Sequence, residues 1–381
     1  MRVAVHCPYS LSVPGGVQGQ VAGLARALES RGHQVTVLAP VDERARASGE
    51  RDIADLGRDV GFVSLGGSVS LRANGSIAAV APGPKASLRA LRALRTGRFD
   101  VLHLHEPFAP GASYACLALA RVARVGTFHR SGDTALYRVL GPLARWGAER
   151  LQVRCAVSPQ ARSTVAHALG GTYELVANGV DSERFERAQP WPTEGPTVFF
   201  VGRHEHRKGL ALLLGAFAGI REPGAVLWVA GEGPETEALK RRFAPGDSVE
   251  WLGRIGDAEV ARRLRGAHVV CFPSLGGESF GVVLLEAMSA RTAIVASNLP
   301  GYRFAAGGHA DLVAPGDLLA LRTALRNSLS DALKGTGRST AEALEAAAAH
   351  ARCFSMTAIA ARYESIYEEA VDLWRSSHNG H

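Results

Sequence analysis

Short apolar runs rich in valine and leucine recur through the whole chain, spaced by segments of helical period, and this alternation constrains the fold more than any other feature. The runs fall at 3–5, 35–38, 101–104 and 125–128, then at 198–201, 226–229, 269–272 and 293–296. Too short to be helices and apolar on both faces, they read as strands of buried parallel sheet. Segments such as 18–31 and 210–220 have helical spacing and supply the crossovers. The pattern is that of an α/β protein built from βαβ units.

With 381 residues, 46% of them hydrophobic, the chain can bury two cores of ordinary size. Residues 189–196 place three prolines between the two series of strands and read as a linker. The expected organisation is a Rossmann-like domain over 1–188, the linker 189–196 and a second Rossmann-like domain over 197–352. A last amphipathic helix over 353–375, with Ile359, Tyr363, Ile366, Tyr367 and Ala370 at helical spacing, is expected to pack back towards the first domain. Neither domain has GxGxxG after its first strand, which counts against a dinucleotide and leaves other phosphate ligands open.

Composition removes several function classes. The opening residues lack the cationic, apolar and cleavage regions of a secretion signal, so a cytoplasmic protein is expected. The longest apolar stretch, 112–125, is interrupted by Arg121 and Arg124 and falls short of the roughly 20 residues of a membrane span. Five scattered cysteines never form CxxC, which argues against a disulfide framework or a zinc site. A formal charge of +7 favours an anionic partner, and no nucleic-acid motif accompanies it.

The strongest local signal follows the run at 269–272. Gly276 to Met288 is a glycine-rich turn feeding a helix, and Gly277, Ser279, Phe280 and Gly281 form the turn whose free N–H groups suit a diphosphate. Glu278 and Glu286 are eight residues apart, about 2.2 turns, so both are expected on one side of that helix, within reach of a sugar hydroxyl and a ribose. Gly202-Arg203-His204-Glu205-His206-Arg207-Lys208-Gly209 ends the first strand after the linker, where open α/β sheets bind ligands. His204 and His206 have no third ligand nearby, so no metal pair is expected. Pro14-Gly15-Gly16-Val17-Gln18 lets backbone approach a ligand ahead of a helix start. His129 closes the run at 125–128. His103 and His105 are read as facing opposite sides of their strand, with no role.

Taken together, the carboxylate, seven residues including Ser-Phe-Gly, and second carboxylate before Ala-Met resemble the EX7E motif of family 4 of the retaining GT-B glycosyltransferases. Arg203 to Gly209 resembles that family's GR…KG donor motif, Pro14 to Gln18 its glycine loop, and Asn178-Gly179-Val180-Asp181 its NGVD landmark, taken as a structural turn. The resemblance implies a GT-B fold, two Rossmann-like domains facing across a cleft. It makes Arg203 and Lys208 the cations that hold the diphosphate, Glu278 and His129 the groups beside the donor sugar, and Glu286 the ribose ligand. Gly15 and Gly16 would approach the donor phosphate, and backbone near Ile255 the base.

Within the family, Cys7-Pro8-Tyr9-Ser10, His103-Leu104-His105-Glu106-Pro107 and Gly276 to Gly281 resemble the actinobacterial mannosyltransferases that act on phosphatidylinositol. That implies GDP-mannose as donor, an anionic phospholipid as acceptor, and Tyr9 and Gln18 beside the inositol ring. Phe108, and Arg130-Ser131-Gly132-Asp133 in place of a hydroxyl-rich stretch, depart from that pattern. Lys85, Arg89, Arg92 and Arg95, with Leu88, Leu91 and Leu94, form a basic amphipathic segment that can lie on an anionic membrane surface. The expected enzyme is therefore a retaining, metal-independent hexosyltransferase, peripheral on the inner membrane face, with no cofactor. Competing readings are a family 4 enzyme using a UDP-sugar and another acceptor, a GT-B nucleotide-sugar epimerase, and a non-catalytic sugar-nucleotide-binding protein.

Overall fold

The computed structural model describes residues 1–13, 15–42, 56–73, 76–132, 141–243 and 248–378. Pro14 of the glycine loop and Asp133 lie outside the described residues. The chain divides into two compact units, Met1–Gly179 with Met356–His381, and Val180–Ser355.

The first unit is built on β1 (Arg2–His6), β2 (Gln34–Ala39), β3 (Gly61–Ser64), β6 (Val101–His105), β7 (Ala123–Phe128), β8 (Val153–Ala156) and β9 (Glu174–Leu175). They form one parallel sheet in the order β3-β2-β1-β6-β7-β8-β9. Val3 pairs with Val35 on one side and Val101 on the other, so β1 is central. Val3, Val5, Val37 and Val125 are wholly buried, and each such side chain contributes about 1.5–3 kcal/mol. The chain runs outward from β1 to β3 on one side and from β6 to β9 on the other. This reversal leaves a crevice at the carboxyl ends of β1 and β6, the usual ligand position of an open α/β sheet. An antiparallel hairpin of β4 (Val69–Ala73) and β5 (Ser76–Val80) bridges through Val80 to Tyr9.

The second unit repeats the plan with β10 (Thr197–Val201), β11 (Val226–Ala230), β12 (Val249–Gly253), β13 (Val269–Phe272), β14 (Ala293–Ser297) and β15 (Asp311–Val313). Their order is β12-β11-β10-β13-β14-β15, again all parallel, with the reversal between β10 and β13.

The units divide earlier than the proline-rich segment. Trp191 donates its backbone N–H to Arg262, and the Arg262 and Arg263 guanidinium groups lie 4.6 and 4.2 Å from its ring. Residues 189–196 therefore belong to the second unit, and the chain leaves the first within Asn178-Gly179-Val180-Asp181. Gln20 clasps Gly179 there through both backbone groups, at 2.8 and 2.7 Å. The chain returns to the first unit at the helix Met356–His378, whose Ile359, Tyr363, Ile366 and Tyr367 join the core beneath β1 and the helix Gly16–Ser30. Arg31 and His33 fasten it through Glu364. No described helix is long and apolar enough to cross a membrane.

Candidate active site

Both candidate sites lie where strand order reverses. In the second unit, the loop after β10 carries Arg203 to Gly209 and the turn after β13 carries Ser274 to Gly281. Gly209 has φ +70°, and a Cβ there would run into the carbonyl oxygen of Pro273, so glycine is what lets the two loops touch. Lys208 Nζ then sits 2.6 Å from Glu278 Oε1, with Arg207 at 3.4 Å from the same oxygen. Ser274 Oγ donates to it at 3.0 Å and meets the buried Tyr302 hydroxyl, also at 3.0 Å. Arg203 is held by Glu205 at 3.0 Å, and Glu205 also takes Arg207 at 3.0 Å, so one nearly buried carboxylate spaces two guanidinium groups. The Arg203 side chain remains 45% exposed, which leaves it open to an anion.

The helix itself begins later than its sequence suggests. It spans Val282–Ser289, with Gly281 at φ +110° as its N-cap. Glu278 is therefore in the preceding turn, not on the helix, and helical spacing does not relate it to Glu286. Gly276 and Gly281 bracket the glycine-rich turn read from the sequence, and it is the helical spacing carried back to Glu278 that the structure corrects. Gly277, at φ +74°, and Ser279 lie in it, whereas the Phe280 ring turns into the core against Phe304 and Phe354. Ile255 is half-buried after β12, beside the Arg254–Glu232 ion pair. His204 is buried against Thr236 and His206 is exposed, so the two do not converge.

In the first unit, the site gathers the ends of β1, β6 and β7. Glu106 takes φ +46°, a conformation that costs a non-glycine residue about 1–2 kcal/mol. It is held there by its N–H to Thr127 and by its carboxylate, which accepts from the His129 N–H at 2.7 Å and faces Arg130 at 3.6 Å. Burial pushes the Glu106 pKa up, and Arg130 opposes this. Arg130 also donates to the Tyr9 hydroxyl at 3.0 Å. Burial and the nearby Glu106 raise the Tyr9 pKa to about 12, so it stays a neutral phenol. The Gln18 amide nitrogen is committed to the Ser10 and Val13 carbonyls, and Gly15 and Gly16 open the helix Gly16–Ser30 beside it.

His129 is buried, its pKa lowered to about 4 by desolvation. Its Nε2 is 2.8 Å from His105 Nδ1. His103 and His105 do not face opposite sides: their ring centroids are 4.3 Å apart. Residues i and i+2 of a strand share a face, because successive side chains alternate. Phe108 is a core residue, packed on Phe128 and Tyr114.

The structure thus brings Lys208 to Glu278, spaces Arg203 from Arg207, and gathers Tyr9 and His129 around Glu106 and Arg130. The sequence reading missed Arg207, Glu205, Ser274 and Tyr302. Arg207 and Glu205 stood inside the motif, and the alternation of charges from 203 to 208 was a usable signal, whereas nothing local marked Tyr302. On the helix Pro84–Gly97, Ala86, Ala90, Leu91 and Leu94 are buried, and Leu88 is 67% exposed among Lys85, Arg89, Arg92 and Arg95.

Residues 14–184 match the model for Glycosyltransferase Family 4, and residues 195–331 that for Glycosyl transferases group 1. The chain is 40% identical over 310 residues, 80% of its length and 79% of the relative's, to the phosphatidyl-myo-inositol mannosyltransferase of Mycobacterium tuberculosis (strain CDC 1551 / Oshkosh). It is 39% identical over 340 residues, 87% of its length and 85% of the relative's, to the protein of the same name in Mycolicibacterium smegmatis. Sucrose-phosphate synthase from Thermosynechococcus elongatus superposes with a TM-score of 0.71 over 97% of this chain and 98% of that one, at 19% identity, a likeness of fold. With two parallel-sheet units on the GT-B plan and this degree of kinship, the chain belongs to family 4 of the glycosyltransferases, among the phosphatidyl-myo-inositol mannosyltransferases.

Proposed function

We propose that the chain transfers mannose from GDP-mannose to the inositol headgroup of phosphatidylinositol, with retention at the anomeric carbon, at the inner face of the cell membrane. The observation that carries the donor half is the Lys208–Glu278 pair at the reversal of the second sheet, flanked by Arg203 and Arg207. A diphosphate arriving there would draw Lys208 and Arg203, which neutralise charge building on the leaving nucleotide. Glu278 is then released to a hexose hydroxyl. The N–H groups after Gly281 add to the anion site, Glu286 takes the ribose, and backbone at Ile255 meets the base. These cations make a divalent metal unnecessary.

The kinship supports the sugar and the acceptor. His129 lies beside the transferred hexose, Gly15 and Gly16 admit its phosphate, and Tyr9 and Gln18 receive the inositol. Lys85, Arg89, Arg92 and Arg95 meet anionic headgroups, each adding about 1 kcal/mol, with Leu88 entering the acyl boundary.

The test is purified enzyme with GDP-mannose or UDP-sugars, with and without phosphatidylinositol vesicles and with EDTA, followed by mass spectrometry of nucleotide and glycolipid. Mannosyl-lipid formed in EDTA is the expected result. Release from a UDP-sugar with a soluble acceptor alone would keep the family and overturn the substrates.

A further inference from the structure

β6 and β7 lie side by side, and the histidines at their carboxyl ends form a buried column. His103 is fixed at its base, with Nδ1 2.8 Å from the Tyr367 hydroxyl and Nε2 2.7 Å from Thr127 Oγ1. His105 lies on it at 4.3 Å between centroids, and His129 stacks on His105 at 5.1 Å with 24° between planes. His105 and His129 are 2% and 8% exposed. A cavity of about 10 Å3 beside them is lined by Leu24, Ala177, Met356 and Ile359 and by the polar Gln20, Asn178 and Tyr363.

We propose that His105 is a positioning residue for His129: its Nδ1–H donates to His129 Nε2, fixing both the plane of that ring and the nitrogen that carries its proton. The inference rests on the reading of His129 as the group beside the transferred sugar. Two ring nitrogens at 2.8 Å need one proton between them, and burial keeps both rings neutral. Had His129 Nε2 the proton, His105 would carry its own on Nε2, which is buried with no protein partner. With the proton on His105 Nδ1, that lone nitrogen is an acceptor, and an unpaired acceptor is less costly than an unpaired N–H. His129 then carries its proton on Nδ1, the nitrogen that His105 leaves to other partners, and the Asn178 side chain also hydrogen-bonds this ring. Held this way, His129 keeps Nε2 filled by His105, and its one N–H is the hydrogen for which the Asn178 side chain and a ligand oxygen compete.

Two variants and one spectrum test this. His105→Phe keeps the ring stack and removes the donor, whereas His105→Asn restores a nitrogen close to the Nδ1 position. With whichever nucleotide sugar the wild type turns over, His105→Phe should lower kcat on the order of 10²-fold. Donor KM and thermal midpoint should change little, and His105→Asn should recover most of kcat. Wild-type kcat in His105→Phe, or equal losses in both variants that follow the loss of thermal midpoint, would overturn the positioning role. In the ligand-free protein, ring ¹⁵N shifts should show His129 Nε2 unprotonated, and a protonated Nε2 would overturn the assignment. The spectrum decides even if no nucleotide sugar is turned over, an outcome that would count against the proposed function instead.

Discussion

At the reversal of the second sheet the polar groups are charged and partly open to solvent: Arg203, Arg207 and Lys208 spaced by Glu205 and Glu278. At the reversal of the first they are buried and mostly neutral: His6, His103, His105, His129, Tyr9 and a carboxylate whose pKa is raised, with Arg130 the one cation paired to that carboxylate among the described residues. The same topology has been filled with opposite electrostatics. Cations that stay hydrated until a ligand arrives suit a polyanion, because the partners they trade are also charged. Neutral rings in a dry pocket suit the orientation of hydroxyl groups, since they cost no ion desolvation and keep fixed donor directions.

The largest test of this contrast is Lys208→Ala. If the charged cluster supplies transition-state stabilisation, kcat should fall about 10²–10³-fold, and Glu278→Ala should fall comparably. The double variant should lose less than the product of the two, because the side chains are paired at 2.6 Å. Steady-state kinetics of the three enzymes decides. Strict additivity would break the claim that they act as one unit.

Acid should separate the units next. Burial lowers His6 to about 4, His103 to about 3 and His129 to about 4, and lowers His105 well below its ordinary value. Between those values and the 6.5 of the unfolded chain, the unfolded state binds more protons, so stability rises with pH across that window. The contribution is complete above 6.5 and lost as pH falls towards 4. Glu106, raised, acts in the opposite sense and offsets part of the loss. In the second unit His268 and His309 are lowered too but only half-buried. His204, which is buried, is lowered by burial against the opposing pull of the Ala230 backbone and Glu232, so a single buried histidine there faces four in the first unit among the described residues. Hydrogen exchange from pH 7 to 5, corrected for intrinsic rates, should therefore show protection falling first in β1, β6 and β7. Equal loss in β10 and β13 would break the comparison.

A smaller effect is expected at Gly209. Alanine there takes an unfavourable φ, costing about 1–2 kcal/mol, and meets the Pro273 carbonyl. The loop should retreat from Glu278, so nucleotide affinity by calorimetry should weaken while the first unit keeps its urea midpoint. Unchanged affinity would show that the Lys208–Glu278 contact does not depend on this close approach.

The same contrast explains what the sequence could tell. The central strands were legible because β1, β10 and their neighbours are buried on both faces and read as unbroken apolar runs. The paired strands β4 and β5, β12 and the short edge strands were not, because edges carry polar residues and lose the pattern. The charged site was legible because Arg203 to Gly209 and Gly276 to Glu286 are contiguous, though a helix was read through Glu278 where positive-φ glycines make a turn. The first site was only partly legible. His129 and Tyr9 drew notice by resemblance, but what holds them comes from Glu106, Arg130, His105 and a helix more than 200 residues away, and only the fold assembles these.

That distant helix sets the smallest test. Tyr367 enters the first unit from the C-terminal helix, wholly buried, and its hydroxyl meets His103 Nδ1 at 2.8 Å. Tyr363 reaches Thr127 Oγ1 at 2.9 Å, and Thr127 meets the other nitrogen of the same ring. Tyr367→Phe keeps the packing and leaves one buried ring nitrogen without its partner. The expected cost is about 1 kcal/mol, read as a lowered urea midpoint at unchanged slope. Tyr363 still reaches Thr127, so His103 should remain under His105 and kcat should hardly move. A loss of kcat in Tyr367→Phe larger than the loss in stability would mean that the C-terminal helix governs the orientation of His129, and that the neutral site depends on long-range packing as strongly as the charged site depends on its two loops.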